Sequence, residues 1–140
     1  MKKALQLKNG MRLGPKLGKG SFGEVYIALN ENDHEYAAKL ESRRDGKKRR
    51  RGPSQLEYEF RVYEMLKGCT GVPEVHDFFN DGDYNVLIMD KLGRSVQDVL
   101  EDRGGTLPTK VVLAIGARTL KHLEYIHNVG LIHRDLKPQN

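Results

Sequence analysis

A single cysteine, Cys69, stands among 140 residues. One thiol excludes an internal disulfide, and no Cys/His cluster surrounds it to suggest zinc. Long apolar runs are missing too. The longest, Val111 to Ala117, is interrupted by Gly116 and falls far short of the roughly 20 residues a membrane helix needs. The opening MKKALQLKNG is basic but has no apolar stretch behind it, which argues against a secretory signal. Apart from one basic run, no repeat or low-complexity tract appears, and composition excludes collagen, coiled-coil and disulfide scaffolds. These absences predict a soluble protein of the cell interior, in the cytoplasm with the nucleus as a second location.

What remains is a globular balance. With glycine counted, about 44% of residues are apolar, at the low edge of the globular range and well above the disordered one. The length fits about one domain. The net charge of +5 is uneven: Arg43 to Arg51 (RRDGKKRRR) carries seven basic residues and one acid, so the other 131 residues sum to −1. A near-neutral body with one basic segment weakens a nucleic-acid reading. That segment is expected to be a solvated, mobile loop. A nuclear-import signal, or a dock for acidic or phosphorylated partners, is its alternative use.

Val25, Ile27 and Leu29 alternate with Glu24, Tyr26 and Ala28, a strand pattern. Residues 35–41 make a second strand after the turn residues Asn30 to Asp33. Ser54-Gln55-Leu56-Glu57 reads as a capping box opening a helix over 54–67, with Leu56, Phe60, Tyr63 and Leu66 at helical spacing. Gly68, Gly71 and Pro73 end it. Val75 to Phe79 and Tyr84 to Asp90 flank Asn80-Asp81-Gly82-Asp83 as a hairpin. Ser95 caps a short helix to about Asp102, and Pro108 opens a longer one that stops at Gly130. Val112, Ile115, Leu120, Leu123 and Ile126 form its apolar side, while Met89, Phe78, Phe79 and Tyr84 are expected in the core. The order is α+β, strand-rich first and helical second.

Gly18-Lys19-Gly20-Ser21-Phe22-Gly23-Glu24-Val25 matches G-x-G-x-x-G-x-V. A dinucleotide fold would open a helix at the third glycine and place an acid about 20 residues on. Here a strand follows, and the residue sixteen positions past Gly23 is Lys39. A Walker loop fails because Gly18-Lys19 is followed by Gly20 and Leu13 holds the leading glycine position. A glycine-rich hairpin remains, whose bare backbone N–H groups can lie over phosphates; a plain hairpin has the same look. Period two puts Ala37 and Lys39 on one strand face, so a small residue and a cation share it. A solvent-facing lysine is the competing reading. Glu59 lies one helical turn from Leu56 and Tyr63, near the buried stripe, where an acid usually needs a cation. Glu57 competes for that part. His133-Arg134-Asp135-Leu136-Lys137-Pro138-Gln139-Asn140 matches H-R-D-L-x-x-x-N.

In this order these motifs resemble the first part of a eukaryotic-type protein kinase domain, over essentially the whole chain. Lys137, two places after Asp135, is similar to the serine/threonine kinases. Gly82-Asp83-Tyr84-Asn85-Val86, Leu92-Gly93-Arg94-Ser95 and Glu124-Tyr125-Ile126-His127 most resemble the casein kinase I family. The resemblance implies an N-lobe and hinge over 1–92, an antiparallel sheet with one helix, and the start of a helical C-lobe over 93–140. It implies ATP and Mg2+ as cofactors. Leu17, Gly18, Lys19, Gly20, Ser21, Phe22, Gly23 and Val25 would cover the nucleotide, with Ala37 beside the base. Lys39 would hold the α- and β-phosphates and Glu59 would anchor Lys39. Met89 looks like the gatekeeper, and Asp90 to Leu92 like the hinge on the adenine edge. Asp135 would be the general base, Lys137 would neutralise the transferred phosphate, and Asn140 would hold a magnesium ion.

Against the family pattern, Ala38 is small, Lys91 makes the hinge polar, and the link from Lys39 to Glu59 is long. The family's Asp-Phe-Gly and activation segment do not occur in the sequence, so the chain is expected to be a kinase fragment or truncated product, inactive alone, with part of the 108–129 helix face exposed. Its partner would be a protein substrate presenting Ser or Thr, acidic or pre-phosphorylated in one variant. The competing functions are a non-catalytic binding module and, more remotely, a nucleic-acid binder acting through 43–51.

Overall fold

The computed structural model describes residues 5–20, 23–45, 48–49 and 52–140. Its strands and helices in chain order are β1 (Arg12–Gly20), β2 (Gly23–Leu29), β3 (Glu35–Ser42), β4 (Arg44–Asp45), β5 (Lys48–Arg49), α1 (Gln55–Met65), β6 (Val75–Asp81), β7 (Tyr84–Asp90), α2 (Val96–Asp102) and α3 (Thr109–Asn128). They fall into two compact units, Met1–Lys67 with Pro73–Lys91, and Gly68–Val72 with Leu92–Asn140. No helix among the described residues is long and apolar enough to cross a membrane.

The first unit is a five-stranded antiparallel sheet in the order β1-β2-β3-β7-β6 with α1 on one face. Alternation along the central strands sorts two cores. Ala38, Leu40, Val86 and Ile88 pack with Ala28, Leu7 and Met11 on one face; Ala37, Leu87 and Met89 pack with Leu56 of α1 on the other. The small Ala38, fully buried, sits in the cluster that also takes in Leu7 and Met11 from the N-terminal turn. Leu56 is 1% exposed. Burying that side chain contributes about 1.5–3 kcal/mol toward docking α1.

The turns follow from their residues. Asn30 Oδ1 accepts from the N–H groups of Asn32 and His34, both at 2.9 Å, and so closes the β2–β3 connection. The β6–β7 hairpin is tighter than the sequence suggested. Asp81 pairs with Tyr84, and only Gly82 (φ 53°) and Asp83 remain between the strands. Tyr84, expected in the core, is exposed because it begins β7 at the end of the sheet.

Where a loop was expected, the described part of the basic segment is paired. Arg44 pairs with Arg49 and Asp45 with Lys48 in a short two-stranded ladder. Arg43 N–H donates to Asp83 O at 2.7 Å and Arg44 Nε meets Asp83 Oδ1 at 2.7 Å, which ties its start to the β6–β7 turn. Gly46, Lys47, Arg50 and Arg51 lie outside the described residues.

In the second unit, Ser95 caps α2 and Asp98 completes the capping box. Helix α3 ends at Gly130, whose φ of 87° is the left-handed terminus that glycine permits. Its expected apolar side is only partly covered: Ile126 is buried, Ile115 and Leu123 are half-buried, and Val112 and Leu120 are exposed, as is Leu113 outside that side.

Candidate active site

The glycine-rich segment is the β1–β2 hairpin. Gly18 pairs with Val25, Lys19 with Glu24 and Gly20 with Gly23; Ser21 and Phe22, both expected over the nucleotide, lie outside the described residues. The three glycines differ. A Cβ on Gly23 would meet the Leu40 carbonyl oxygen at 2.2 Å, so this glycine is required by strand packing. Among the described residues, a Cβ on Gly18 would find nothing within 4 Å, and one on Gly20 only Gly23 O at 4.0 Å. Those two leave open backbone, the arrangement that lets a phosphate approach. Leu17 is exposed, whereas Val25 packs onto the cluster of Ala37, Leu87 and Met89.

Lys39 and Glu59 come together. Lys39 Nζ donates to Glu59 Oε1 at 2.8 Å and Oε2 at 2.6 Å, the two side chains being only 20% and 28% exposed. Helical phase decides between the two candidate acids. Glu57 points outward and pairs with Arg61 one turn on, at 2.7 Å. Glu59 faces the sheet beside Tyr63, whose hydroxyl is pushed up to about 12 by burial and then by the Glu59 charge.

The expected capping box at Ser54 forms by half. Ser54 Oγ accepts from Glu57 N–H at 2.9 Å, but the Glu57 carboxylate goes to Arg61. Glu41 of β3 stands at the helix start instead. It is 2% exposed and accepts from Ser54 Oγ, from Asn85 Nδ2 at 2.8 Å and from Gln55 N–H at 3.0 Å. Burial alone would raise its carboxyl; the hydrogen bonds from Ser54, Asn85 and the Gln55 and Leu56 N–H groups outweigh that and hold it below the usual range. Sequence reasoning missed Glu41. Period two after Ala37 and Lys39 was the available signal.

Met89 is buried beside Ala37 at the end of β7. Asp90 turns its carboxylate back to the sheet, accepting Glu74 N–H at 2.9 Å and lying 2.8 Å from His76 Nε2; those two partners, the Glu74 N–H first, lower its carboxyl. Its side chain and its N–H, which donates to Glu74 O at 2.9 Å, therefore both order the start of β6. Lys91 pairs with Glu35 at 2.6 Å, and Leu92 is exposed.

In the second unit, residues 131–140 form an irregular segment held at both ends. Leu131 N–H donates to Ile126 O at 3.1 Å, and Pro138 O accepts Gln97 N–H from α2 at 2.9 Å. Arg134 takes a left-handed φ of 62°, uncommon for a residue with a side chain. Asp135, Lys137 and Asn140 converge: Lys137 Nζ lies 2.8 Å from Asp135 Oδ2, and Asn140 Nδ2 donates to Asp135 O. The Lys137 hydrogen bond holds the Asp135 carboxyl below its ordinary value, so it is ionised at neutral pH.

The family model of the protein kinase domain matches residues 11–140. The chain belongs to the protein kinase domain family. The kinase fold accounts for the sheet with a single packed helix followed by helices, and it makes a protein the expected class of substrate. A nucleotide fits what this kinase domain offers in its first unit: a fixed cation at Lys39 and glycine backbone that no Cβ obstructs at Gly18 and Gly20. For magnesium, Asn140 offers one amide oxygen, a suitable hard ligand but a single one.

Proposed function

We propose that the protein is an ATP-dependent serine/threonine kinase of the casein kinase I type. The observation that carries this reading is the grip of both Glu59 oxygens on Lys39, which fixes a half-buried cation where α- and β-phosphates would lie. Bound MgATP would supply the phosphoryl group and neutralise charge building on it. The chain's own residues would position and stabilise. Lys39 holds the phosphates, and Gly18 and Gly20 let backbone N–H groups approach. Ala37, Met89 and the backbone of Asp90 to Leu92 take the base. Asp135, ionised, orients the substrate hydroxyl and accepts its proton; Lys137 balances charge on the transferred group; Asn140 holds the metal. Such a site needs little covalent chemistry from the protein. Lys137 supports serine or threonine as acceptor, and an acidic or pre-phosphorylated substrate belongs to the same proposal, as does action in the cytoplasm and nucleus.

The 140 residues alone should not turn over. The test is therefore phosphate transfer from labelled ATP to casein by a chain that also carries the Asp-Phe-Gly and activation segment of the family pattern, with nucleotide binding measured separately by calorimetry. Asp135→Asn should lower the rate by about 10²–10⁴-fold while ATP still binds. Transfer that survives Asp135→Asn refutes the mechanism. The exposed Val112, Leu113 and Leu120 of α3 favour a second reading, a binding module without turnover. Nucleotide and partner binding with no transfer would select it.

A further inference from the structure

Period two along β3 puts Ala37, Lys39 and Glu41 on one face, the face that α1 covers. The three meet α1 in different ways. Ala37 packs in the cluster of Leu56, Lys39 binds Glu59, and Glu41 binds the helix start at Ser54 and Gln55. Spacing on the two elements agrees. Lys39 to Glu41 is about 6.6 Å of strand. Ser54 to Glu59 is about 7.5 Å of helix. Strand and helix therefore carry matched anchor points in opposite chain directions, Glu41 with Ser54 and Lys39 with Glu59.

We propose that Glu41 is a positioning residue for the Lys39–Glu59 pair. With Asn85 and Ser54 it sets the rotation and depth of α1, and so decides whether Glu59 reaches Lys39. This rests on the reading of Lys39 and Glu59 as the phosphate-holding pair. A helix has two ways to lose Glu59: sliding along its axis or turning about it. The Leu56 contact is apolar and tolerates small turns, whereas hydrogen bonds from Ser54 Oγ and Gln55 N–H to one buried carboxylate are directional and do not. Asn85 fixes that carboxylate from the neighbouring strand, donating to Glu41 Oε2 at 2.8 Å and to Ser54 Oγ at 2.9 Å. The charge also suits the site, since an anion at a helix N-terminus is favourable. Glu41 is thus joined to the site through backbone and helix rather than through any contact with a nucleotide.

The test reads the pair directly, by the NMR resonance of the Lys39 ammonium group, visible when its protons are held by a carboxylate and assigned by its loss in Lys39→Arg. Glu59→Gln should abolish the signal. Glu41→Gln should abolish or shift it and lower ATP affinity, although Glu41 touches neither group. Ile88→Val, on the opposite face of the sheet, should lower the melting temperature yet leave the signal in place. Should Glu41→Gln fail to fold, Ser54→Ala should weaken the signal and Ser54→Thr restore it. A folded Glu41→Gln, or a Ser54→Ala, with the Lys39 signal and ATP affinity of the wild type overturns the proposal. A signal that persists in Glu59→Gln removes the reading beneath it and the proposal with it.

Discussion

Three glycines of one motif should respond differently to the same added methyl group. At Gly23 an alanine Cβ would sit 2.2 Å from Leu40 O and 3.0 Å from its carbonyl carbon, where ordinary contact begins at 3.4 Å. Relief requires β2 to move off β3 by about an ångström, which takes neighbouring ladder bonds out of the roughly 2.9 Å hydrogen-bond range. Two such bonds at about 1 kcal/mol each and about 1–3 kcal/mol of packing strain give a loss of about 3–5 kcal/mol. The gain from a stiffer unfolded chain, about 0.4–1 kcal/mol, opposes this and is too small to cancel it. For a unit of this size the melting transition should fall by about 8–35 °C.

Gly18→Ala meets nothing within 4 Å among the described residues and its φ is not positive, so the unfolded-state gain should stand alone. Stability should hold or rise by up to about 1 kcal/mol. Its effect should appear in ATP affinity, weaker by on the order of tenfold if one backbone hydrogen bond to phosphate is lost. Thermal melting followed by circular dichroism, together with calorimetric titration of ATP, separates the two. Gly23→Ala melting within about 2 °C of wild type would refute the packing argument. Gly18→Ala with unchanged affinity would refute the phosphate one.

In the second unit, a Cβ on Gly71 would lie 2.2 Å from His122 Nδ1. Gly71→Ala should cost about 1–3 kcal/mol in urea unfolding, and His122→Ala in the same chain should remove most of that cost; additive effects would sink the contact. The Glu41 carboxyl is held below its ordinary 4.5, so its contribution to stability is complete above that value and is lost as pH falls through the folded one. The stability gap between wild type and Glu41→Gln should therefore shrink as pH falls below the ordinary 4.5 and on through the lowered folded value. A constant gap would show that the charge contributes nothing.

Most strands and all three helical patterns were legible because their apolar residues keep one period and their ends carry Ser54, Ser95, Pro108 and Gly130. β1 was not. Its sequence, RLGPKLGKG, has no alternation to read, and its register shifts between Leu13 and Lys16 and again between Lys16 and Gly18. It lies at the sheet edge, where a proline and an irregular ladder are tolerated. The β4–β5 ladder was hidden for another reason: its strands are two residues each, too short for any alternation to be read. Glu59 could be read because its helix neighbours are local in sequence. For Glu41 only its strand face, shared with Ala37 and Lys39, was readable; its partners stand 13, 14 and 44 residues away.

That contrast bears on what holds the candidate site together. A partly exposed lysine–carboxylate pair contributes on the order of 1 kcal/mol, too little to fix an eleven-residue helix on a sheet. Burial of Leu56 contributes about 1.5–3 kcal/mol, the Ser54 cap about 1 kcal/mol, and Phe60 adds its stack on Phe78, with centroids 5.1 Å apart. The Lys39–Glu59 pair is thus a result of how α1 docks and not its cause. Loss of the pair alone should leave the helix in place, whereas loss of the docking at Leu56 or Glu41 should cost the pair as well. A change anywhere along that contact then acts on the phosphate-holding cation without touching it.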